Sequence, residues 1–139
     1  VTVIGEVADE ALESRGDIRA LGFLPFIDCV DMMRRSKILL NIVPSFPNGG
    51  HERLFYALSQ GAAVMTTRSS FLEADRRSHG FIEFFDIARG DISEKLIHLR
   101  GDLERDVRGR DAMLRYHEDH HTWTKRLAPL LEHARGHFS

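Results

Sequence analysis

The sequence predicts an α/β domain with helices on both faces of a parallel sheet of about five strands. Short apolar runs alternate along the chain with amphipathic stretches of helical length, a pattern typical of parallel sheets with helical crossovers. Residues 41–67 read as strand, loop, helix and strand, and this connection has about the minimum length that two parallel strands need. The length of 139 residues fits a single three-layer domain over residues 1–139.

The first part of the chain supplies predicted strands at residues 1–4 and 18–24, both rich in aliphatic residues. Residues 7–15 between them form a predicted short acidic helix. Pro25 can begin the next helix, because the first turn does not need the N–H that proline lacks. The buried stripe of that helix is predicted to consist of Ile27, Val30, Met32 and Met33.

A strand, a loop and a helix are predicted between residues 37 and 60. Residues 37–43 (KILLNIV) have the length and composition of a buried strand. Residues 51–60 form the helix, with apolar residues on one side. Gly61 occupies the position where a helix end favours positive φ. The loop between strand and helix is indicated by Pro44, Pro47, Asn48, Gly49 and Gly50.

The remaining sequence continues the alternation and then becomes helical. Strands are predicted at residues 62–67 and 80–85, with a short helix at 71–77 between them. Helical spacing of apolar residues then predicts helices at residues 91–103, 105–120 and 122–133. The last helix has an apolar stripe that is predicted to pack back across the domain, formed by Trp123, Leu127, Leu130 and Leu131.

Composition excludes several classes of protein. The net charge of −2 gives no basic field that would favour nucleic acid or an anionic membrane. The single Cys29 excludes an internal disulfide and a cysteine zinc cluster. No apolar run reaches the ~20 residues of a membrane span, and no signal peptide is visible, so a cytoplasmic protein is expected. The chain begins in a strand at Val1 without a starting Met, which indicates a piece of a larger protein.

The loop before the central helix is predicted to bind an anion. Ligands of open parallel sheets bind beyond the carboxyl ends of the strands, where this loop is expected. Gly49 and Gly50 leave backbone N–H groups accessible, and the helix dipole adds partial positive charge. Arg53, about one turn into the helix, can supply a bidentate guanidinium to a phosphate. The alternative is an ordinary turn into a core helix, since a glycine pair before a helix is common.

Two other groups of polar residues have spacings that occur in metal or acid–base sites. His117, His120 and His121 have spacing compatible with a metal site, but a solvated helix end is the preferred interpretation because cations are favoured there. No metal ligand is therefore predicted. His51 and Glu52 could form an acid–base pair, but adjacent helical residues do not face each other, so separate roles are preferred.

Several segments together resemble a known family. They are residues 21–26 (LGFLPF), 36–41 (SKILLN), 53–67 (RLFYALSQGAAVMTT) and 122–127 (TWTKRL). In order and spacing they are similar to the donor-nucleotide half of GT-B glycosyltransferases. The closest branch is "glycosyl transferases group 1", which includes the spore-maturation CgeB-like proteins.

The resemblance implies a Rossmann-like domain that forms the C-terminal, donor-binding half of a two-domain protein. Such a protein transfers a sugar from a nucleotide-activated donor to an acceptor, here unknown, without a metal or other cofactor. The catalytic residues are unassigned, and without its N-terminal domain this fragment is expected to be inactive. In the full-length protein, peripheral membrane attachment is an alternative to a purely cytoplasmic location. The residues expected to bind the nucleotide-sugar donor are Gly5, Leu24, Ser45, Asn48, Gly49, Gly50, His51, Glu52, Arg53 and Tyr56.

The sequence departs from the family at one pair of positions. Many group 1 enzymes place two glutamates eight residues apart, and the matching positions here are Asn48 and Tyr56. Glu52 lies nearby but in a different register. This departure favours an alternative in which the chain is a catalytically inactive interaction module. A further alternative is another nucleotide or phosphosugar enzyme on the same type of sheet, such as a sugar-nucleotide epimerase.

Overall fold

The computed structural model describes residues 1–5, 14–42, 48–105 and 109–137. The chain divides into two compact units, Val1–Met32 and Met33–Ser139. Each unit contains its own parallel sheet, two-stranded in the first and three-stranded in the second.

The first unit is built on two very short strands. β1 (Thr2–Val3) pairs in parallel with β2 (Arg19–Ala20). Both strands are shorter than predicted. The predicted helix at residues 7–15 lies outside the described residues.

The helix α1 (Phe26–Arg35) begins in the first unit and ends in the second. Its predicted buried stripe is wrong at Ile27, which is 71% exposed. Met33 is buried as predicted, because it joins the core of the second unit.

The second unit contains a parallel sheet in which neighbouring strands follow one another along the chain. The strands are β3 (Ile38–Asn41), β4 (Ala63–Thr67) and β5 (Ile82–Phe85). The helix α2 (Glu52–Ser59) connects β3 to β4, and α3 (Ser70–His79) connects β4 to β5. Each connection is thus a helical crossover between parallel neighbours.

Helices cover both faces of this sheet. Side chains that alternate along β4 and β5 enter two separate apolar clusters. The helices α2 and α3 cover one face, where the cluster includes Leu54, Leu58, Val64, Leu72, Ile82 and Phe84. The helix α4 (Ile92–Arg105) covers the other, where the cluster includes Ala63, Met65, Phe85 and Leu99.

Two more helices complete the second unit. α5 (Gly109–His120) contributes Met113 to one apolar cluster and Tyr116 to the other. α6 (Trp123–His137) follows it. The prediction that the stripe of this last helix packs across the domain is wrong, because Trp123 is 59% and Leu127 44% exposed. The helix meets α2 at its first turn, where Arg126 covers the ring of Phe55.

The structure confirms the α/β class, the parallel pairing and the helices on both faces. The prediction of one sheet of about five strands is wrong for the described residues, where the largest sheet has three strands. The described strands instead form two sheets, because β1 and β2 pair with each other, over two residues each, and not with β3, β4 or β5. No helix in the described ranges is both long enough and apolar enough to cross a lipid bilayer.

Candidate functional site

The loops that follow β3 and β4 are tied together. Because the strands are parallel, both loops leave the sheet at its carboxyl edge. Ser69 Oγ donates a hydrogen bond to the carbonyl oxygen of Gly49 at 2.7 Å. Ser70 Oγ donates to Asn48 Oδ1 at 3.0 Å. The segment that leads into α2 is therefore fixed at this edge, whereas Ser45 lies outside the described residues.

The start of α2 is capped by a histidine. His51 has extended backbone angles, and its Nδ1 accepts a hydrogen bond from the backbone N–H of Arg53 at 3.2 Å. The imidazole thus takes one of the first amides of the helix, which would otherwise need a partner. Glu52 and Arg53 are both exposed in this first turn. Within the described part of the chain, no ion pair involves either of them.

Gly50 has a packing role that the sequence did not predict. A Cβ atom at this position would lie 2.8 Å from the Phe55 ring and 3.1 Å from Leu72 Cδ2. Its φ is not positive. The absence of a side chain at Gly50 therefore lets the loop lie directly on the apolar cluster that α2 and α3 cover.

Gly5 and Leu24 belong to the first unit. The backbone N–H of Gly5 donates to the carbonyl oxygen of Gly22 at 2.7 Å, with Gly5 at φ +116°. The carbonyl oxygen of Leu24 lies 3.7 Å from the Cys29 thiol, a hydrogen-bond distance for sulfur. Both backbone groups are thus used inside the protein, and their proposed roles toward a donor rest on the family resemblance.

A pocket of about 270 Å³ lies between α2 and the junction of α5 and α6. Sequence reasoning assigned two of its residues, Glu52 and Tyr56, to substrate binding but did not predict a pocket here. The other lining residues are Phe55, Ser59, His117, His121, Thr122, Trp123 and Arg126. The sequence does contain one indication of this pocket. Residues 117–126 combine aromatic and polar side chains at the junction between two helices.

Aromatic rings form much of the pocket wall. The Arg126 guanidinium lies 4.2 Å from the centroid of the Phe55 ring and 5.6 Å from that of Trp123, in the range of cation–π contacts. His121 is buried, and its Nε2 lies 2.6 Å from the hydroxyl oxygen of Tyr116. His121 also lies against Phe55, with ring centroids 5.1 Å apart. These contacts hold the rings of Phe55, His121 and Trp123, which line the pocket.

The three histidines with metal-compatible spacing, His117, His120 and His121, contact one another and Tyr116. His121 is held by Tyr116, and burial lowers the pKa of His117 below its ordinary value, an effect that Glu118 opposes. Among the described residues, no three His, Cys, Asp or Glu side chains converge as a metal site.

A buried polar pair lies near the carboxyl ends of β3 and β4. Asn41 and Thr66 are opposite each other in the ladder, and both are almost fully buried. Asn41 Nδ2 donates to Thr66 Oγ1 at 3.1 Å. No described donor reaches Asn41 Oδ1, so this amide oxygen is a buried acceptor without a described partner.

Comparison with known proteins identifies the family. The family model described as glycosyl transferase-like matches residues 1–132. The chain belongs to this family. Its description supports sugar transfer as the general activity. No curated protein and no solved structure matches the chain.

In this glycosyl transferase-like protein, Asn48 and Tyr56 differ from each other in the contacts that they make. Asn48 accepts a hydrogen bond from Ser70 and so holds the loop at the sheet edge. Tyr56 lines the pocket beside α2. Asn48 therefore provides a loop contact, and Tyr56 provides part of a pocket wall.

Proposed function

We propose that this chain is the nucleotide-sugar-binding domain of a glycosyltransferase, with the loop before α2 and the first turn of α2 as the diphosphate site. The observation that carries the proposal is the fixed position of Asn48 and Gly49 at the carboxyl edge of the sheet. Parallel sheets bind ligands at this edge. Membership of a glycosyl transferase-like family supports a sugar-containing ligand.

Arg53 is the main electrostatic element of the proposed site. The N-terminus of a helix carries roughly half a positive elementary charge, and Arg53 adds a full charge with planar donors. The exposure of Arg53 leaves its guanidinium accessible to solvent and to a ligand. A nucleoside diphosphate gains negative charge as the sugar departs, so cationic groups here would stabilise the leaving group.

The proposal also places this chain as one half of a two-domain GT-B protein. In that arrangement, the catalytic base that acts on the acceptor belongs to an N-terminal domain. The chain alone is then expected to bind a donor without transferring its sugar.

Isothermal titration calorimetry with a panel of nucleotide sugars tests the proposal. The panel should vary the base and the sugar independently, and each free nucleoside diphosphate serves as a reference. Saturable binding of at least one nucleotide sugar is expected, with most of the affinity retained by its nucleoside diphosphate. Absence of binding across the panel, for the chain and for the full-length protein, would contradict the proposal.

A catalytically inactive module is the second candidate. It is favoured by one observation, which is that neither Asn48 nor Tyr56 carries a carboxylate. The full-length protein distinguishes the candidates. Donor turnover, measured as release of the nucleoside diphosphate, supports an enzyme, whereas donor binding without turnover in the presence of acceptor extracts supports the inactive module.

A further inference from the structure

The pocket between α2 and the α5–α6 junction adjoins the proposed diphosphate site at Glu52, in the first turn of α2, but is lined by no described residue of the loop before that helix. We infer that this pocket binds a neutral saccharide ring, which packs on the indole of Trp123 and hydrogen-bonds to Glu52. The inference goes beyond the proposed function, because it assigns a second ligand site to the domain. Four features of the pocket support it.

The first feature is size. Pockets for small-molecule ligands usually enclose roughly 300–1,000 Å³. The volume of about 270 Å³ lies just below this range. It suits one sugar ring and is too small for a complete nucleotide sugar.

The second feature is charge. Among the described residues, the lining contains one carboxylate, Glu52, and one guanidinium, Arg126. Arg126 lies over the Phe55 and Trp123 rings, so its charge is partly directed to the aromatic faces. The pKa of His117 is lowered by burial, which favours its neutral form. A lining of this kind has no excess positive charge for a diphosphate and accommodates an uncharged ligand.

The third feature is the supply of hydrogen-bonding groups. An ionised carboxylate offers only acceptors and pairs well with the hydroxyl donors of a sugar. Glu52 has no ion pair among the described side chains. Ser59 donates its hydroxyl proton to the Tyr56 carbonyl at 2.7 Å and accepts from Gln60 Nε2 at 3.2 Å, so its oxygen has one further lone pair to offer. Neutral His117 can both donate and accept.

The fourth feature is an exposed aromatic platform. Trp123 lines the pocket and is 59% exposed. A large indole combines apolar area with a polar N–H. One face of a pyranose ring consists of C–H groups, which pack on an aromatic surface while the hydroxyl groups at the rim reach polar neighbours.

The origin of the saccharide is a separate question. Its assignment as a unit of the acceptor rests on the proposed function and applies to a transferase whose acceptor is itself a saccharide. The pocket itself does not depend on that assignment.

Trp123 provides a direct test, because it is the only tryptophan in the chain. The full chain is titrated with the methyl glycosides of glucose, galactose, mannose and N-acetylglucosamine, and tryptophan emission is recorded. At least one glycoside should give a saturable blue shift, since a bound ring excludes water from the indole. Saturation-transfer NMR should show the strongest transfer to ring C–H protons of the same glycoside.

Matched variants locate the effect. Glu52→Gln keeps the shape of the side chain and removes its charge, so the affinity for the glycoside should fall about tenfold, as loss of a charged hydrogen bond predicts. Leu130→Ala changes an exposed residue of α6 that does not line the pocket. This control should bind the glycoside like the parent chain.

Three outcomes would overturn the inference. One is the absence of any emission change at high millimolar concentrations of every glycoside. A second is equal binding by the parent chain and Glu52→Gln. A third is a shift caused by a free nucleoside diphosphate that competes with the glycoside, since the pocket would then belong to the donor site. Nucleotide-sugar calorimetry without glycosides tests the proposed function separately, so the two can fail independently.

Discussion

Arg110 occupies the space that a side chain at Gly61 would need. A Cβ atom at Gly61 would lie 2.7 Å from Arg110 Cγ. Arg110 Nη2 donates to the carbonyl oxygen of Gln60 at 2.7 Å and to that of Arg34 at 3.0 Å. One guanidinium thus satisfies carbonyl groups at the C-terminal ends of both α2 and α1. Gly61, at φ +72°, is required here both for its backbone angle and for its lack of volume.

Replacement of Gly61 by alanine should therefore destabilise the protein. A left-handed backbone costs a residue with a Cβ atom roughly 1–2 kcal/mol, and displacement of Arg110 adds the loss of its two hydrogen bonds. We expect Gly61→Ala to lower the free energy of unfolding by about 2–4 kcal/mol in urea denaturation.

Two other glycines separate these effects. Gly80 has φ +69° with nothing within 4 Å of a built Cβ, so Gly80→Ala should show the backbone cost alone. Gly136 lies in α6 with open surroundings and no positive φ, so Gly136→Ala should be neutral or stabilising by up to about 1 kcal/mol. Equal losses for Gly61→Ala and Gly80→Ala would show that Arg110 moves away without cost.

Gly50→Ala tests whether this glycine serves packing or ligand approach. The added methyl group would lie 2.8 Å from the Phe55 ring, and overpacking of this kind typically costs about 1–3 kcal/mol. We expect the thermal midpoint to fall, whereas Gly16→Ala, with nothing within 4 Å, should leave it nearly unchanged. An unchanged midpoint together with weaker nucleotide binding would show that Gly50 acts in ligand approach.

The elements of the second unit could be predicted because their local signals agree with their packing. The strand at residues 62–67 is apolar up to its two final threonines, and β4 is buried on both faces. Gly61 marks the end of α2 in the sequence and in the structure. The stripe of α6 misled the prediction, because an amphipathic pattern shows that a face is apolar but does not identify its partner.

The candidate site was predictable in part for a similar reason. The loop before α2 has strong local signals in its prolines and glycines, which place it after a strand. The pocket depends on residues from α2 and α6 that are about 70 positions apart, such as Glu52 and Arg126. No local pattern reports such contacts, so the packing of Arg126 on Phe55 became visible only in the fold.

A double-mutant cycle measures the buried Asn41–Thr66 pair. Thr66→Val removes the acceptor of Asn41 Nδ2 and leaves a buried amide unsatisfied, at a cost of about 1–3 kcal/mol in unfolding free energy. Adding Asn41→Leu removes the orphaned amide and should restore part of that loss. The coupling energy from urea denaturation should therefore favour the pair. Additive effects of the two substitutions would contradict a direct interaction.

Acidification should destabilise the protein through His117. Burial lowers its pKa in the folded state, so the unfolded chain binds the proton more readily, near the ordinary value of about 6.5. The stabilising difference is present above that pH and is lost as the pH falls through it toward the lowered pKa. His117→Gln should flatten this part of the stability profile measured by denaturation at several pH values. Identical profiles for parent and variant would show that His117 makes no contribution.

Arg53 gives the sharpest test of the proposed donor site. If its guanidinium binds the diphosphate, Arg53→Ala should weaken nucleotide-sugar binding by roughly 1.5–3 kcal/mol, the scale of a hydrogen bond to a charged group. Arg53→Lys should restore binding only in part, because an ammonium lacks the forked donor geometry. Arg115→Ala, which removes an exposed arginine of α5, is the matched control and should bind like the parent.

The alternative for Arg53 is an ordinary surface residue, for which truncation changes little. Calorimetry with the four proteins separates the two roles, and urea denaturation checks that each variant remains folded. Unchanged affinity of a folded Arg53→Ala variant would remove the diphosphate site from the start of α2. In that case the hydrogen bonds of Asn48 and Gly49 to Ser70 and Ser69 would be structural contacts of the loop alone.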